Sequence, residues 1–143
     1  MSAMAIADMR TVEEGQELPA REFNPDTIQL FLYNAVLWNA HKIHFDYPYA
    51  TEVEGYPGLV MAGPLLGDWL HQCVVEWLGD SGRLVEMEYS NRRAAYIGDT
   101  LRSVGRIVAV DRERRQVTIE VAILNQNDEV LAPGTAVAGF EAP

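Results

Sequence analysis

Hydrophobic residues recur along the chain with two different periods, and the change from one to the other organises it. Ile28, Phe31, Leu32, Ala35 and Val36 fall at the three-to-four spacing of one helical face. Asn24-Pro25-Asp26 stands just before them and reads as a helix start: a capping side chain, a proline at the first helical position and an acid in the first turn. A short amphipathic helix from there to about Trp38 is expected. A second and wider stripe, Leu65, Leu66, Trp69, Leu70, Cys73, Val74, Trp77 and Leu78, predicts a four-turn buried helix from Pro64, closed by Gly79.

Beyond Gly79 the period drops to two. Alternation runs through Leu84 to Ser90, Thr100 to Val110, Val117 to Leu124 and Val130 to Ala138. In the third of these Val117, Ile119, Val121 and Ile123 share one face of a strand. Turns are predicted at Gly98-Asp99, Asp111 to Arg115, Asn127-Asp128 and Pro133-Gly134. The expected architecture is α+β, an antiparallel sheet wrapping one long central helix. Tyr47 to Gly63, rich in Tyr, Pro and Gly, reads as an ordered loop of a length that is usually functional. The first twenty residues are polar and weakly periodic, so they read as an N-terminal segment, with the domain itself spanning residues 21 to 143.

Composition narrows the function classes. The chain has 143 residues, enough for one domain with a real core and too few for two catalytic domains and a linker. No apolar run approaches a membrane span, and Met1 to Asp8 lack the basic start and apolar stretch of a signal peptide, so a soluble cytoplasmic protein is expected. The net charge of -10 opposes binding to nucleic acid or an anionic membrane surface. A small anionic ligand would need a local basic patch, for which Arg92-Arg93 and Arg112 to Arg115 are candidates, the alternative being ordinary solvated arginines. One cysteine, Cys73, permits no intrachain disulfide and fits a reducing compartment.

Candidate chemistry gathers between the first helix and the loop, where Asn39, His41, His44 and Asp46 fall within eight positions. An imidazole moves protons near neutral pH, and an asparagine amide both donates and accepts. Three readings stand side by side: proton transfer by a histidine, histidines that merely satisfy backbone groups, and a metal site on His41, His44 and Asp46, whose close spacing fits known sites poorly. Cys73 lies in the apolar stripe and reads as core. Gly63, at the amino end of the buried helix, either exposes N–H groups able to stabilise a developing oxyanion or makes a tight turn.

Three segments together resemble the MaoC-like hydratase/dehydratase family. Trp38 to Asp46 keeps the length of that family's motif Gly-Asp-x-Asn-Pro-x-His-x-Asp, with its last histidine at His44 and its last aspartate at Asp46. Gly58-Leu59-Val60-Met61-Ala62-Gly63-Pro64 is similar to its approach to the central helix, and Gly98-Asp99-Thr100-Leu101 with Asn125-Gln126-Asn127 to its sheet. The family's aspartate five positions before the histidine is Asn39 here, and in this the chain is most similar to the mesaconyl- and methylfumaryl-CoA hydratase branch, where asparagine is the normal residue.

The resemblance covers about Leu18 to Phe140 and implies a single hot-dog domain. It implies reversible addition of water to the α,β double bond of an enoyl-CoA without a cofactor or metal. His44 would be the proton-transferring group, Asn39 would position water, and the Gly63 amide would polarise the thioester carbonyl. His41, Tyr47, Tyr56, Met61, Ala62, Arg92 and Arg93 would contact substrate, the two arginines through CoA phosphates. It also implies pairing, as a homodimer or as a heterodimer with another hot-dog subunit, since relatives of this branch often carry two such halves in one chain. A subunit that is half-catalytic or non-catalytic without its partner is the competing reading; a hot-dog thioesterase is favoured less, because Asp68 and Glu76, the carboxylates of the central helix, fall at the edges of its apolar stripe and not opposite the loop.

Overall fold

A computed structural model describes residues 7 to 142; the expectation about a leader at Met1 to Ile6 therefore lies outside the described residues. Two α-helices, α1 (Thr27–Val36) and α2 (Gly63–Leu78), accompany five strands: β1 (Arg21–Phe23), β2 (Gly82–Tyr89), β3 (Leu101–Asp111), β4 (Gln116–Leu124) and β5 (Val130–Phe140). The strands form one sheet in the order β1-β3-β4-β5-β2, every pair antiparallel. This sheet curls around α2, which is the hot-dog arrangement.

The central helix forms where its stripe predicts. Leu65, Leu66, Trp69, Leu70, Cys73, Val74, Trp77 and Leu78 are all buried, and so are Val117, Ile119, Val121 and Ile123 of β4 on the sheet's inner face. Gly67 is buried mid-helix, where glycine is disfavoured by about 1 kcal/mol relative to alanine. Its reason is steric: a Cβ there would lie 2.2 Å from the Tyr89 hydroxyl oxygen and 2.3 Å from the ring carbon bearing it. The missing side chain lets β2 close on the helix. On the other flank the Phe23 ring of β1 stacks on Trp69, centroids 4.3 Å apart.

Four details depart from the sequence reading. The residues read as a polar tail pack onto the sheet: Ala7, Met9, Val12 and Leu18 are buried, and Gly15 and Leu18 donate backbone hydrogen bonds to Ile107 and Gly105. The Arg112 guanidinium donates to the carbonyls of Met9 and Val12, and Arg115 to that of Glu141, so this arginine run anchors chain ends. Pro133-Gly134 is not a turn but the middle of β5, where Pro133 contributes only its carbonyl, to Ser90 N–H, and a Cβ at Gly134 would meet the Glu88 carbonyl at 2.5 Å. Finally, Asp26 rather than Asn24 caps α1, accepting from Gln29 N–H at 2.8 Å, while Asn24 accepts from the Thr100 hydroxyl.

Helix α1 also turns the unexpected way. An amphipathic helix ordinarily lays its apolar stripe on the core, yet here Leu30 and Asn34 face inward, whereas Ile28 is 68%, Val36 80% and Trp38 94% exposed. Phe31 and Leu32 are exposed with them. The helix is held by its other side, where the Tyr33 hydroxyl donates to Asp68 of α2 at 2.8 Å.

Substituting Gly67→Ala separates propensity from packing. Helix propensity alone predicts a gain of about 1 kcal/mol, whereas overpacking against the Tyr89 ring predicts a loss of about 1–3 kcal/mol. A net decrease in the urea unfolding midpoint is expected.

Candidate functional site

The candidate motif begins at the end of α1. Trp38 N–H donates to the Ala35 carbonyl and Asn39 N–H to that of Asn34, the two bonds of a Schellman ending. The turn puts Trp38 in the left-handed region, φ 54°, where glycine is the usual occupant. Asn39 then uses its Oδ1 to accept from His41 N–H at 3.1 Å. Lys42–His44 form a single 3-10 turn, which buries Ile43 and His44 and leaves His41 and Lys42 outside. Asp46 Oδ1 accepts from Tyr49 N–H at 3.1 Å and starts a π-helical turn over Tyr49–Val53.

His44 is fixed by one bond. Its Nδ1 lies 2.6 Å from the carbonyl oxygen of Val60. A carbonyl only accepts, so Nδ1 carries the proton and Nε2 keeps a lone pair. Burial pushes the His44 pKa down, which outweighs the upward pull of the Val60 bond, and the neighbouring His41 lowers it further. The His41 ring stands edge-on to that of His44 with centroids 5.7 Å apart. The neutral, Nδ1-protonated imidazole is the form this environment favours.

Gly63 begins α2 behind Ala62, which supplies no side-chain cap, and Pro64 follows. Among the described residues the Gly63 N–H has no protein acceptor, so a free donor stands at the positive end of the helix dipole. A cavity of about 270 Å³ joins these groups: His44 and Gly63 line it with Ile43, Val60, Met61, Leu66 and residues 91 to 95. A larger groove, about 790 Å³, crosses strands β2 to β5 and shares only Arg92 with the first. It contains neither His44 nor Gly63, so the smaller cavity is the one that joins the two candidate groups.

The structure thus brings together His44, Gly63, Met61, Arg92 and Arg93. Asn39, His41, Tyr47, Tyr56 and Ala62 do not line this cavity. Tyr47 is exposed, and Tyr56 lies half-buried beside Tyr96, ring centroids 6.4 Å apart. The arginines differ: Arg93 pairs with Glu129 at 2.5 Å, whereas among the described residues the Arg92 guanidinium bonds only the Ser90 hydroxyl. Asp68 is exposed and engaged by Tyr33, and Glu76 pairs with Arg21 at 3.0 Å, so neither carboxylate of the thioesterase reading lines the cavity. The sequence reading missed Asn91. Its signal was its position, a polar residue between the end of β2 and the two arginines already singled out.

Residues 3–97, two thirds of the chain, match the family model described as hydroxyacyl-thioester dehydratase type 2. The chain belongs to that family. Mesaconyl-C(4)-CoA hydratase of Chloroflexus aurantiacus is 57% identical over 42 residues, a segment covering 29% of this chain and 15% of that protein. The mitochondrial hydroxyacyl-thioester dehydratase type 2 of Saccharomyces cerevisiae is 30% identical over 81 residues, covering 57% and 28%. The matched segments therefore span less than a third of these relatives. Among solved structures, an (R)-hydratase from A. caviae superposes with a TM-score of 0.84 at 16% identity, covering 92% of this chain and 99% of that one. A chain of the ChsH1-ChsH2 complex from Mycobacterium tuberculosis gives 0.80 at 18%, with the same coverages. At such identities these structures establish the hot-dog fold alone. Among the described residues no helix is long and apolar enough to cross a membrane.

The lowered pKa of His44 makes a stability prediction with a definite sign. The unfolded chain, with a free imidazole near 6.5, takes up the proton before the folded chain does. Stability is therefore full above about pH 6.5 and falls as the pH drops through the lower folded value. Urea midpoints should decline between pH 7.5 and 5.5 in the wild type, and His44→Gln should flatten that decline; an equal slope in the variant would refute the assignment.

Proposed function

We propose that this chain catalyses reversible hydration of an enoyl thioester, with CoA as the carrier. The observation that carries the reading is the single cavity shared by a neutral, tautomer-fixed His44 and the free N–H of Gly63. The thioester oxygen accepts from Gly63 N–H at the amino end of α2. Nε2 of His44 takes a proton from water as its oxygen bonds the β-carbon, and the double-bond electrons move toward the thioester as an enolate. The same Nε2–H then gives its proton to the α-carbon. Water is added across the bond and the imidazole returns neutral.

Asn39 cannot be a second base, because an amide does not titrate. With its Oδ1 held by His41 N–H, it has its Nδ2 donors left to hold the water. Met61 frames the substrate within the cavity in this reading, Arg92 and Arg93 meet the phosphates of the carrier, and His41, Tyr47, Tyr56 and Ala62, which stand outside the lining, would have at most an outer part. No cofactor or metal is required. The reaction follows the names of the relatives, whose family acts on hydroxyacyl thioesters.

A partner subunit is the second reading, and the exposed stripe of α1 favours it. Ile28, Phe31, Leu32, Val36 and Trp38 form an uncovered apolar surface that ends at Asn39, and β2 is an open sheet edge. A second hot-dog subunit, either another copy of this chain or a related one, would cover such surfaces. The mass of the purified chain in solution should be that of a dimer or larger; a competent monomer would remove the need for a partner.

Hydration is read as loss of enoyl absorbance, and thioester hydrolysis as release of free CoA. His44→Ala should lower hydration by about 10²–10⁴-fold, and Asn39→Ala by less. Full activity in His44→Ala, or CoA release without hydration, would overturn the proposal.

A further inference from the structure

Asn91 has a placement that neither the motif nor the family resemblance assigns a task. It follows β2 at the mouth of the small cavity, and its backbone is clamped on both sides. Ser90 N–H donates to the Pro133 carbonyl at 3.1 Å, and Arg92 and Arg93 N–H both donate to that of Leu131, at 2.9 and 3.2 Å. A few residues on, Ala95 accepts from Met61 N–H at 2.8 Å, which ties the same loop to the approach of α2. The Asn91 side chain is exposed, yet its starting point is fixed by the strands beneath it.

That side chain lies over Gly63. A Cβ built on Gly63 would fall 2.4 Å from Nδ2 and 3.1 Å from Cγ of Asn91. The carboxamide thus occupies the space that any larger residue at position 63 would need. Among the described residues it makes no hydrogen bond, so two N–H donors and a carbonyl are unspent beside the free Gly63 N–H, in the cavity that His44 also lines. A neutral amide is suited to this place. It donates to an oxygen gaining negative charge and adds no charge of its own.

We propose that the Asn91 carboxamide is a second donor to the thioester oxygen, opposite the Gly63 N–H, and that it contributes more to the enolate-like state than to substrate binding. This rests on the hydratase reading. Two oriented donors define a line for the carbonyl, so Asn91 also sets which way the acyl chain leaves Gly63 toward His44. Loss of one such donor lowers the rate by about 10²–10³-fold where it acts in the transition state.

The test compares Asn91→Leu and Asn91→Asp, both close in shape to the original, in hydration of a short enoyl-CoA. Asn91→Leu should lose most of kcat with KM changed by less than about threefold, as expected for a contact made in the transition state. Asn91→Asp should be worse at pH 7.5, where a carboxylate faces the developing oxyanion, and should recover relative to Asn91→Leu as the pH falls and the acid protonates. A role in packing alone would leave the near-isosteric aspartate at the wild-type rate with no recovery at low pH. Wild-type kcat in both variants overturns the role of Asn91 and leaves the hydratase reading intact. Absence of hydration by the wild-type chain overturns both.

Discussion

Three segments distant in sequence are stitched together at Leu59-Val60-Met61, and the candidate site depends on that seam. Val60 N–H donates to the Ile43 carbonyl at 3.0 Å, and the Val60 carbonyl accepts from His44. Met61 N–H donates to Ala95, and Ile97 N–H to Leu59 at 3.1 Å. One extended stretch therefore carries the histidine turn on one edge and the Asn91 to Ala95 loop on the other, and it runs directly into α2. Because Leu59, Val60 and Met61 are buried, these bonds are sheltered from water and hold their geometry. The positions of His44, Gly63 and Asn91 relative to one another are consequences of this backbone pairing, more than of contacts among the three side chains.

In the proposed hydration, the seam would let one titrating group serve where a dyad is usual. A histidine base needs a fixed tautomer, and a carboxylate commonly fixes it while stabilising the imidazolium. Here a backbone carbonyl fixes the tautomer and contributes no full charge. His44 is left as a neutral base whose pKa is held down by burial and by His41. Asn39 in the place of the acid is compatible with that design, since an added carboxylate would favour the protonated imidazole. In the proposed reaction the proton taken from water would return by the same nitrogen, so the α-carbon would have to lie within its reach. This places a stricter demand on substrate orientation, which falls to the donors around the thioester oxygen.

The sequence showed the strong periodicities and missed features that depend on what packs against what. The α2 stripe and the alternation in β4 were legible because each buries one face against a wide partner, and the structure buries those residues. Residues 7 to 20 were not, because an edge segment pairing with β3 along one side needs only Leu18 and a few others to be apolar. Pro133-Gly134 carried a strong turn signal that the sheet overrode, since Gly134 is required by the close approach of β2. In the candidate site, spacing alone left His44 and Gly63 open and the family resemblance singled them out; the structure puts both on one cavity. Asn91 was not legible, as its neighbourhood with Gly63 arises from chain segments nearly thirty residues apart.

The inverted stripe of α1 bears on how complete the site is in one chain. Leaving Phe31, Val36 and Trp38 in water forfeits roughly 1.5–3 kcal/mol for each large side chain that could be buried. Trp38 adds a backbone cost, because a left-handed conformation is unfavourable by about 1–2 kcal/mol for a residue with a Cβ. Glycine at that Schellman position would remove the second term and polar residues on α1 would remove the first. The two Schellman hydrogen bonds offset part of the cost at Trp38, and among the described residues nothing covers the stripe. A partner surface that took up the stripe would recover the first term, and Trp38 adjoins Asn39 directly, so such a surface would reach the water-holding end of the proposed site. On this account the exposed helix and the asparagine in place of an acid are two sides of one arrangement: a site whose base and oxyanion donors lie in this chain, and whose outer wall is supplied by the surface that covers α1.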